Sequence, residues 1–227
     1  MTDVADHTAL LRLMQLVSPA LPVGAYAYSQ GLEWAAHQGW VHDEKSAAQW
    51  LQDLLRQVVC RVDVPVLIRL HHAWRCRDTA ALEYWSAFLR AGRESAELQN
   101  EDRQLGMALA RLLKELDVPG ADSWLTHRAA SFATLFALAA VHWNITLAQT
   151  CIGYLWTWAE NQTSAALKLI PLGQSAGQRL LSRAAEIIPA AVQEGLHITD
   201  DAIGAFAPGL ALASARHETQ YTRLFRS

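Results

Sequence analysis

Residues 129–159, AASFATLFALAAVHWNITLAQTCIGYLWTWA, run for 31 positions without an Asp, Glu, Lys or Arg. A run of that length would cross a bilayer as a helix. Ser131, Thr134, His142, Asn144, Gln149 and Thr150 interrupt it, however, and each is costly to expose to lipid. The stretch therefore predicts two helices buried at the centre of a soluble bundle, with no membrane span. Phe132, Leu135, Phe136 and Ala139 mark the inner positions of the first, and Leu147, Cys151, Leu155 and Trp158 those of the second, which Asn144 or Thr146 would cap.

Outward from this pair the chain shows helical periods and almost no strand alternation. Leu10, Leu11, Met14 and Val17 set a first helix that runs to the Ser18-Pro19 break. Asp43 is placed to cap a helix with Trp50, Leu51, Leu54, Leu55, Val58 and Val59 on one broad face. Pro65 suits the first turn of the next, which leads through Leu67, Ile68, Leu70 and His71 to Trp74. Leu82, Trp85, Phe88 and Leu89 mark another before Gly92, and a leucine stripe from Leu98 to Leu116 fills a longer one that Pro119-Gly120 ends. Leu180, Leu181, Ala184, Ile187 and Ile188 give a further helix, which Pro189 is expected to kink or shorten. A last helix is expected to open at Thr199-Asp200-Asp201, to split near Pro208-Gly209 and to reach towards Tyr221. The sum is an all-α single domain over residues 1–227, a bundle of about ten helices with short connections.

Composition narrows what such a bundle can do. With 227 residues, 52% of them apolar, the chain can bury one large core, and nothing in it reads as an interdomain linker. A net charge of -3 argues against nucleic-acid binding, which needs a basic face to collect phosphates. The three cysteines, Cys60, Cys76 and Cys151, are odd in number and scattered, and read as buried thiols of a reducing, cytoplasmic compartment. The first residues, Met1-Thr2-Asp3-Val4-Ala5-Asp6, carry two acids and no positive region, unlike a secretory signal.

Three stretches are neither routine core nor routine solvent face. Ser18-Pro-Ala-Leu-Pro-Val-Gly-Ala-Tyr-Ala-Tyr-Ser-Gln-Gly-Leu-Glu33 packs two prolines, two glycines and two tyrosines into one apolar run. The prolines bar helix until about Pro22; from there a helix would set Gly24 and Gly31 two turns apart on one stripe, open to a close backbone neighbour. Lys168 interrupts an apolar run before Pro171, as either a snorkelling lysine near a helix C-terminus or a functional cation. The tail His217-Glu-Thr-Gln-Tyr-Thr-Arg-Leu-Phe-Arg-Ser227 sets Tyr221, Leu224 and Phe225 among arginines, the residue types that anchor protein interfaces. It either folds back on its own domain or meets a partner.

The search for chemistry is largely negative. The sequence holds no phosphate loop, no dinucleotide fingerprint and no H-E-x-x-H helix. Ser29, in Tyr28-Ser29-Gln30-Gly31, is the nearest approach to a hydrolase nucleophile, but Ala27 stands where the elbow needs glycine and no strand precedes it. Nine histidines suggest a metal until their spacing is read: His71 and His72 diverge on a helix, and no two lie at i, i+4. No cofactor and no resident metal are expected.

Four blocks taken together carry a resemblance: Ser18–Glu33; Arg93-Glu94-Ser95 with Gly106 following; Lys168-Leu-Ile-Pro-Leu-Gly-Gln-Ser-Ala-Gly-Gln178; and His217-Glu218 leading to Tyr221-Thr-Arg-Leu-Phe-Arg-Ser227. In this order, from near residue 10 to the last, they resemble the urease accessory protein UreF family. The resemblance implies an all-α protein without catalytic activity, a maturation chaperone that pairs as a homodimer. It further implies binding to the scaffold protein UreD (also called UreH), and recruitment of the nickel-carrying GTPase UreG to apo-urease, with an influence on GTP hydrolysis and nickel release. Carried over by position, Tyr26 and Arg223 match residues tied to recruiting the GTPase, and Lys168 matches one tied to coupling GTP use to metal loading. The tail from His217 and Glu218 through Tyr221, Leu224 and Phe225 matches the segment that becomes ordered on the scaffold.

Overall fold

A computed structural model describes residues 4–227. Helices α1 (Val4–Leu16), α2 (Leu32–His37), α3 (Glu44–Leu54), α4 (Val64–Cys76), α5 (Thr79–Ala91), α6 (Ala96–Glu115), α7 (Phe132–His142), α8 (Leu147–Leu169), α9 (Gln174–Leu196) and α10 (Pro208–His217) make an all-α fold, with no strand among the described residues. The apolar pair expected at the centre is α7 and α8. Every residue from Phe132 to Ala140 is buried, because α4, α6 and α8 pack around α7. The polar interruptions are satisfied locally. Thr134 Oγ1 lies 2.7 Å from both Ser86 Oγ and Ser131 Oγ, while His142 and Asn144 sit in an exposed turn between the two helices. Among the described residues, no helix is long and apolar enough to cross a membrane.

Caps fall where short polar side chains precede the apolar periods. Asp43 and Thr146 each close a capping box, with Ser46 and Gln149 respectively, and Ser95 and Ser131 cap α6 and α7. Asn144, the other candidate cap, instead adopts a left-handed φ of 56° in the turn before α8. Pro65 lies in the first turn of α4 as expected, yet the chain does not break before it. Leu55–Asp63 continues α3 as a π-helix, and the Val64 N–H reaches back to Val59. Proline has no N–H for an α-helical bond to Arg61, and the wider turn accommodates that loss. The π segment delivers Asp63 into the interior. There Arg93 grips it with two hydrogen bonds of 2.6 and 3.0 Å, and the Tyr154 hydroxyl donates a third at 2.9 Å. Burial works against the Arg93 charge, but Asp63 and Asp102 more than offset it and hold the guanidinium pKa above its ordinary value.

Four expectations are corrected. No helix starts near Pro22: residues 18–31 are turns around one 3-10 turn at Ala25–Ala27, and Gly24 and Gly31 hold φ of +81° and +80° rather than sharing a helical stripe. Pro189 does not end α9, which runs on to Leu196. Ala185, whose carbonyl it orphans, is an exposed residue, while Ile188, Ala191 and Val192 pack into the core and hold the helix. The Asp200 cluster makes only a 3-10 turn, Asp200–Ala202, and α10 begins afresh at Pro208 and stops at His217. Of the cysteines, Cys60 and Cys151 are buried but Cys76 is exposed.

Helix α6 approaches the N-terminus of α7 at Gly106, where a Cβ would come within 2.6 to 2.8 Å of the Ser131 backbone. Backbone cannot yield as a flexible side chain does. Gly106→Ala is therefore expected to destabilise the fold by about 2–4 kcal/mol, whereas Gly209→Ala, with open space around it, should be neutral or slightly stabilising. Urea unfolding of both variants checks this, and equal midpoints would contradict the close approach.

Candidate functional site

The residues singled out in the opening segment, at Lys168 and in the tail meet in one region. The tail lies back along the body and is held by three carboxylates set one helical turn or more apart. Glu33, in the first turn of α2, is buried; its Oε1 accepts the Leu224 N–H at 2.6 Å and its Oε2 accepts the Phe225 N–H at 2.8 Å. Glu97, in the first turn of α6, accepts the Arg223 guanidinium at 2.6 Å. Glu101, one turn further, accepts the Ser227 hydroxyl at 2.6 Å and the Gln30 amide at 2.8 Å. Charge-assisted bonds of this length are about twice as strong as neutral ones, and burial strengthens them further.

His217 joins two of these acids. Its ring is fully buried, with Nδ1 at 2.6 Å from Glu97 and Nε2 at 3.1 Å from Glu33. Carboxylates only accept, so both contacts are hydrogen bonds when the ring carries a proton on each nitrogen. Glu218, the next residue, turns outward onto α6: its carboxylate accepts the free N–H groups of Ala96 and Glu97 at 2.9 and 3.4 Å. The opening segment closes over the tail from the other side. Ser29 donates from both its N–H and its hydroxyl to the Ser227 carbonyl, and Arg226 N–H donates to Ala27 at 2.8 Å. Gly31 permits this crossing, since a Cβ there would meet the α10 backbone at Ser214 at 3.0 Å.

Lys168 stands in the last turn of α8, where helix carbonyls favour a cation. Its ammonium lies 5.8 Å from the Tyr26 ring centre, 5.4 Å from the Phe225 ring centre and 3.4 Å from the Tyr26 carbonyl oxygen. These are cation–π distances. One cation thus bridges the opening segment and the tail. The faces differ in exposure: Phe225 is buried, while Tyr26 is 70%, Leu224 66% and Tyr221 fully exposed. His217 and Phe225 therefore act inside the chain as it stands, whereas Tyr26, Lys168, Tyr221 and Leu224 remain open to a partner. Arg223 is partly open, with one arm on Glu97.

Sequence reasoning missed Glu33, Glu97, Glu101 and Gln30. Gln30 links Glu101 to the indole of Trp158, which donates to the Gln30 side-chain oxygen at 2.8 Å. The available signal was a lone acid in an apolar run, Leu32-Glu33-Trp34-Ala35. Ser29, by contrast, is fully buried and spends its hydroxyl proton on Ser227, which leaves the hydrolase alternative without an accessible nucleophile. No group of three or more metal-binding side chains gathers among the described residues.

Fold and site together define an all-α protein whose distinctive residues collect on one face, formed by a tail latched across the ends of three helices. A family model described as UreF matches residues 41–185. A urease accessory protein UreF of Alkalilimnicola ehrlichii is 51% identical over all of this chain and 99% of its own length. One of Hahella chejuensis is 48% identical over 96% of this chain and 98% of its own, and one of Psychrobacter cryohalolentis 46% identical over 100% and 97%. The chain belongs to the UreF family.

Burial pushes the Glu101 carboxyl from 4.5 up to about 7, against the Ser227 and Gln30 hydrogen bonds and the nearby Arg93 charge. A folded state that holds this proton more tightly than the unfolded chain loses stability as pH climbs from about 4.5 through about 7, by up to about 3 kcal/mol. Glu101→Gln, which cannot titrate, is expected to flatten the fall in Tm between about pH 5 and about pH 8. Parallel Tm–pH curves for the two proteins would show that Glu101 is not the group responsible.

Proposed function

We propose that this chain is an adaptor in urease maturation, without catalysis of its own, working in the cytoplasm. It binds the UreD/UreH scaffold through its tail and recruits the GTPase UreG to apo-urease for GTP-dependent nickel insertion, modulating GTP hydrolysis. The observation that carries this reading is the meeting of Tyr26, Lys168 and Phe225 around one ammonium. The tail, which the scaffold would hold, is thereby part of the face that the GTPase would meet. Full-length identity to proteins named for urease maturation supports the urease context.

The physical logic is one of ordering. A tail free to leave its site pays conformational entropy each time it docks. A scaffold that holds the docked form pays this once, and the face bearing Tyr26 and Lys168 is then ready for the next partner. Tyr26 offers an aromatic platform with a polar tip, and Arg223 a planar fork whose remaining donors fit a carboxylate. Pairing of two copies fits the outer side of α1, which packs on α8 through Leu13 and Val17 and exposes Leu10, Leu11 and Met14.

Deleting residues 221–227 is expected to leave a folded protein that no longer holds the scaffold in a pull-down; retained binding would refute the tail's role. Tyr26→Ala and Arg223→Ala should keep scaffold binding but lower GTPase recruitment at least tenfold, measured by size-exclusion chromatography of the mixed proteins with GTP and nickel. Lys168→Ala should leave the complex assembled yet lower urease activation. A double Leu11→Glu, Met14→Glu variant should run as a monomer in light scattering, and an unchanged mass would place the pairing face elsewhere.

A further inference from the structure

An open groove lies between α2, the last turn of α8, α10 and the tail, with a volume of about 990 Å³. Its apolar lining is Trp34, Leu169, Leu212 and Tyr221, and two of these stand out into solvent, Leu212 at 44% exposure and Tyr221 fully. The charges around it are unbalanced. The only carboxylate in its wall, Glu33, is spent on the Leu224 and Phe225 amides and on His217. Neighbouring Glu97 is consumed by His217 and Arg223, and Glu218 by the α6 N-terminus. Arg216, in the groove wall on the last turn of α10, makes no ion pair among the described residues. His37 closes the α2 end, and Lys168 adjoins groove-lining Leu169. Arg216 thus stands as an exposed cation without an ion-pair partner among the described residues, beside an apolar trough.

We infer that this groove receives an acidic segment of a partner protein, with apolar side chains on the Trp34–Leu212–Tyr221 floor and a carboxylate on Arg216. Aromatic and leucine contacts beside an arginine are the usual energetic centre of such a surface. Opposite charge fixes the orientation and selects against basic competitors. The inference rests on the adaptor reading and deepens it, since Gln220, Tyr221 and Thr222 of the groove wall belong to the tail assigned to the scaffold; it adds the charge and shape of the segment received.

The test is site-directed photo-crosslinking in the full chain, with Leu212→p-benzoylphenylalanine, in cells that express the urease gene cluster. The adduct is expected on a segment of another protein that carries two or more Asp or Glu within one helical turn. Arg216→Glu should cut the adduct at least tenfold, Arg216→Lys should retain most of it, and exchanging the mapped carboxylates for lysine should restore it to the Arg216→Glu variant. Tyr26→Ala should leave the adduct intact, so that failure of GTPase recruitment and failure of the groove are read separately. An adduct only with a second copy of this chain, an adduct on a neutral or basic segment, no adduct, or a yield that ignores Arg216→Glu overturns the inference.

Discussion

The structure depends on one buried carboxylate. Glu33 sits at the start of a helix of six residues, and around it converge α10 through His217, the tail through two backbone N–H groups, and α6 through the shared histidine. An ionised carboxylate removed from water costs several kcal/mol unless its lone pairs are satisfied, so the three donors are a condition of its burial. The converse also holds. Without Glu33 the Leu224 and Phe225 amides would lose their acceptor, and the tail would have little reason to lie where it does.

From that latch the remaining arrangement follows as geometry. With the tail down, Phe225 comes to rest under the Lys168 ammonium and Ser227 against Glu101, while Leu224 and Tyr221 are turned outward. The core proper, built on α7 and its ring of α4, α6 and α8, takes little part in this beyond fixing the helix ends. The buried Asp63–Arg93–Tyr154 cluster ties the π segment to α8 and to the α5–α6 connection, and Arg93 extends it to α6 through Asp102. The packed core and the latched tail are different parts of the molecule, and they join at the first turns of α2 and α6.

How much of this could be read from residues alone divides along the same line. The α7–α8 pair was legible because an apolar run without charge has few soluble solutions, and the caps at Asp43 and Thr146 because their partners lie three residues away. The opening segment was misread as helix. Glycines seven apart look alike whether they share a helical stripe or each turn the chain at positive φ, and only the long-range approach of α10 decides between them. Of the two effects expected of Pro189, a kink or a shorter helix, the shortening does not occur, because propensity counts the lost hydrogen bond and not the core contacts on either side of it. Tyr26 and Arg223 were singled out through a family resemblance, and Lys168 and Phe225 already as breaks in the routine pattern, whereas Glu33, Glu97 and Glu101 went unnoticed. Their partners lie between 71 and 192 positions away, and no local pattern records a contact of that span.

The central claim is that one carboxylate fastens the tail and thereby completes the face that it shares with Tyr26 and Lys168. Amide hydrogen exchange at Leu224 and Phe225, compared between the unaltered chain and Glu33→Ala, tests it most directly. The account predicts that both amides lose protection in the variant while those of α4 and α7 keep theirs. Equal protection of the two tail amides in both proteins would contradict it.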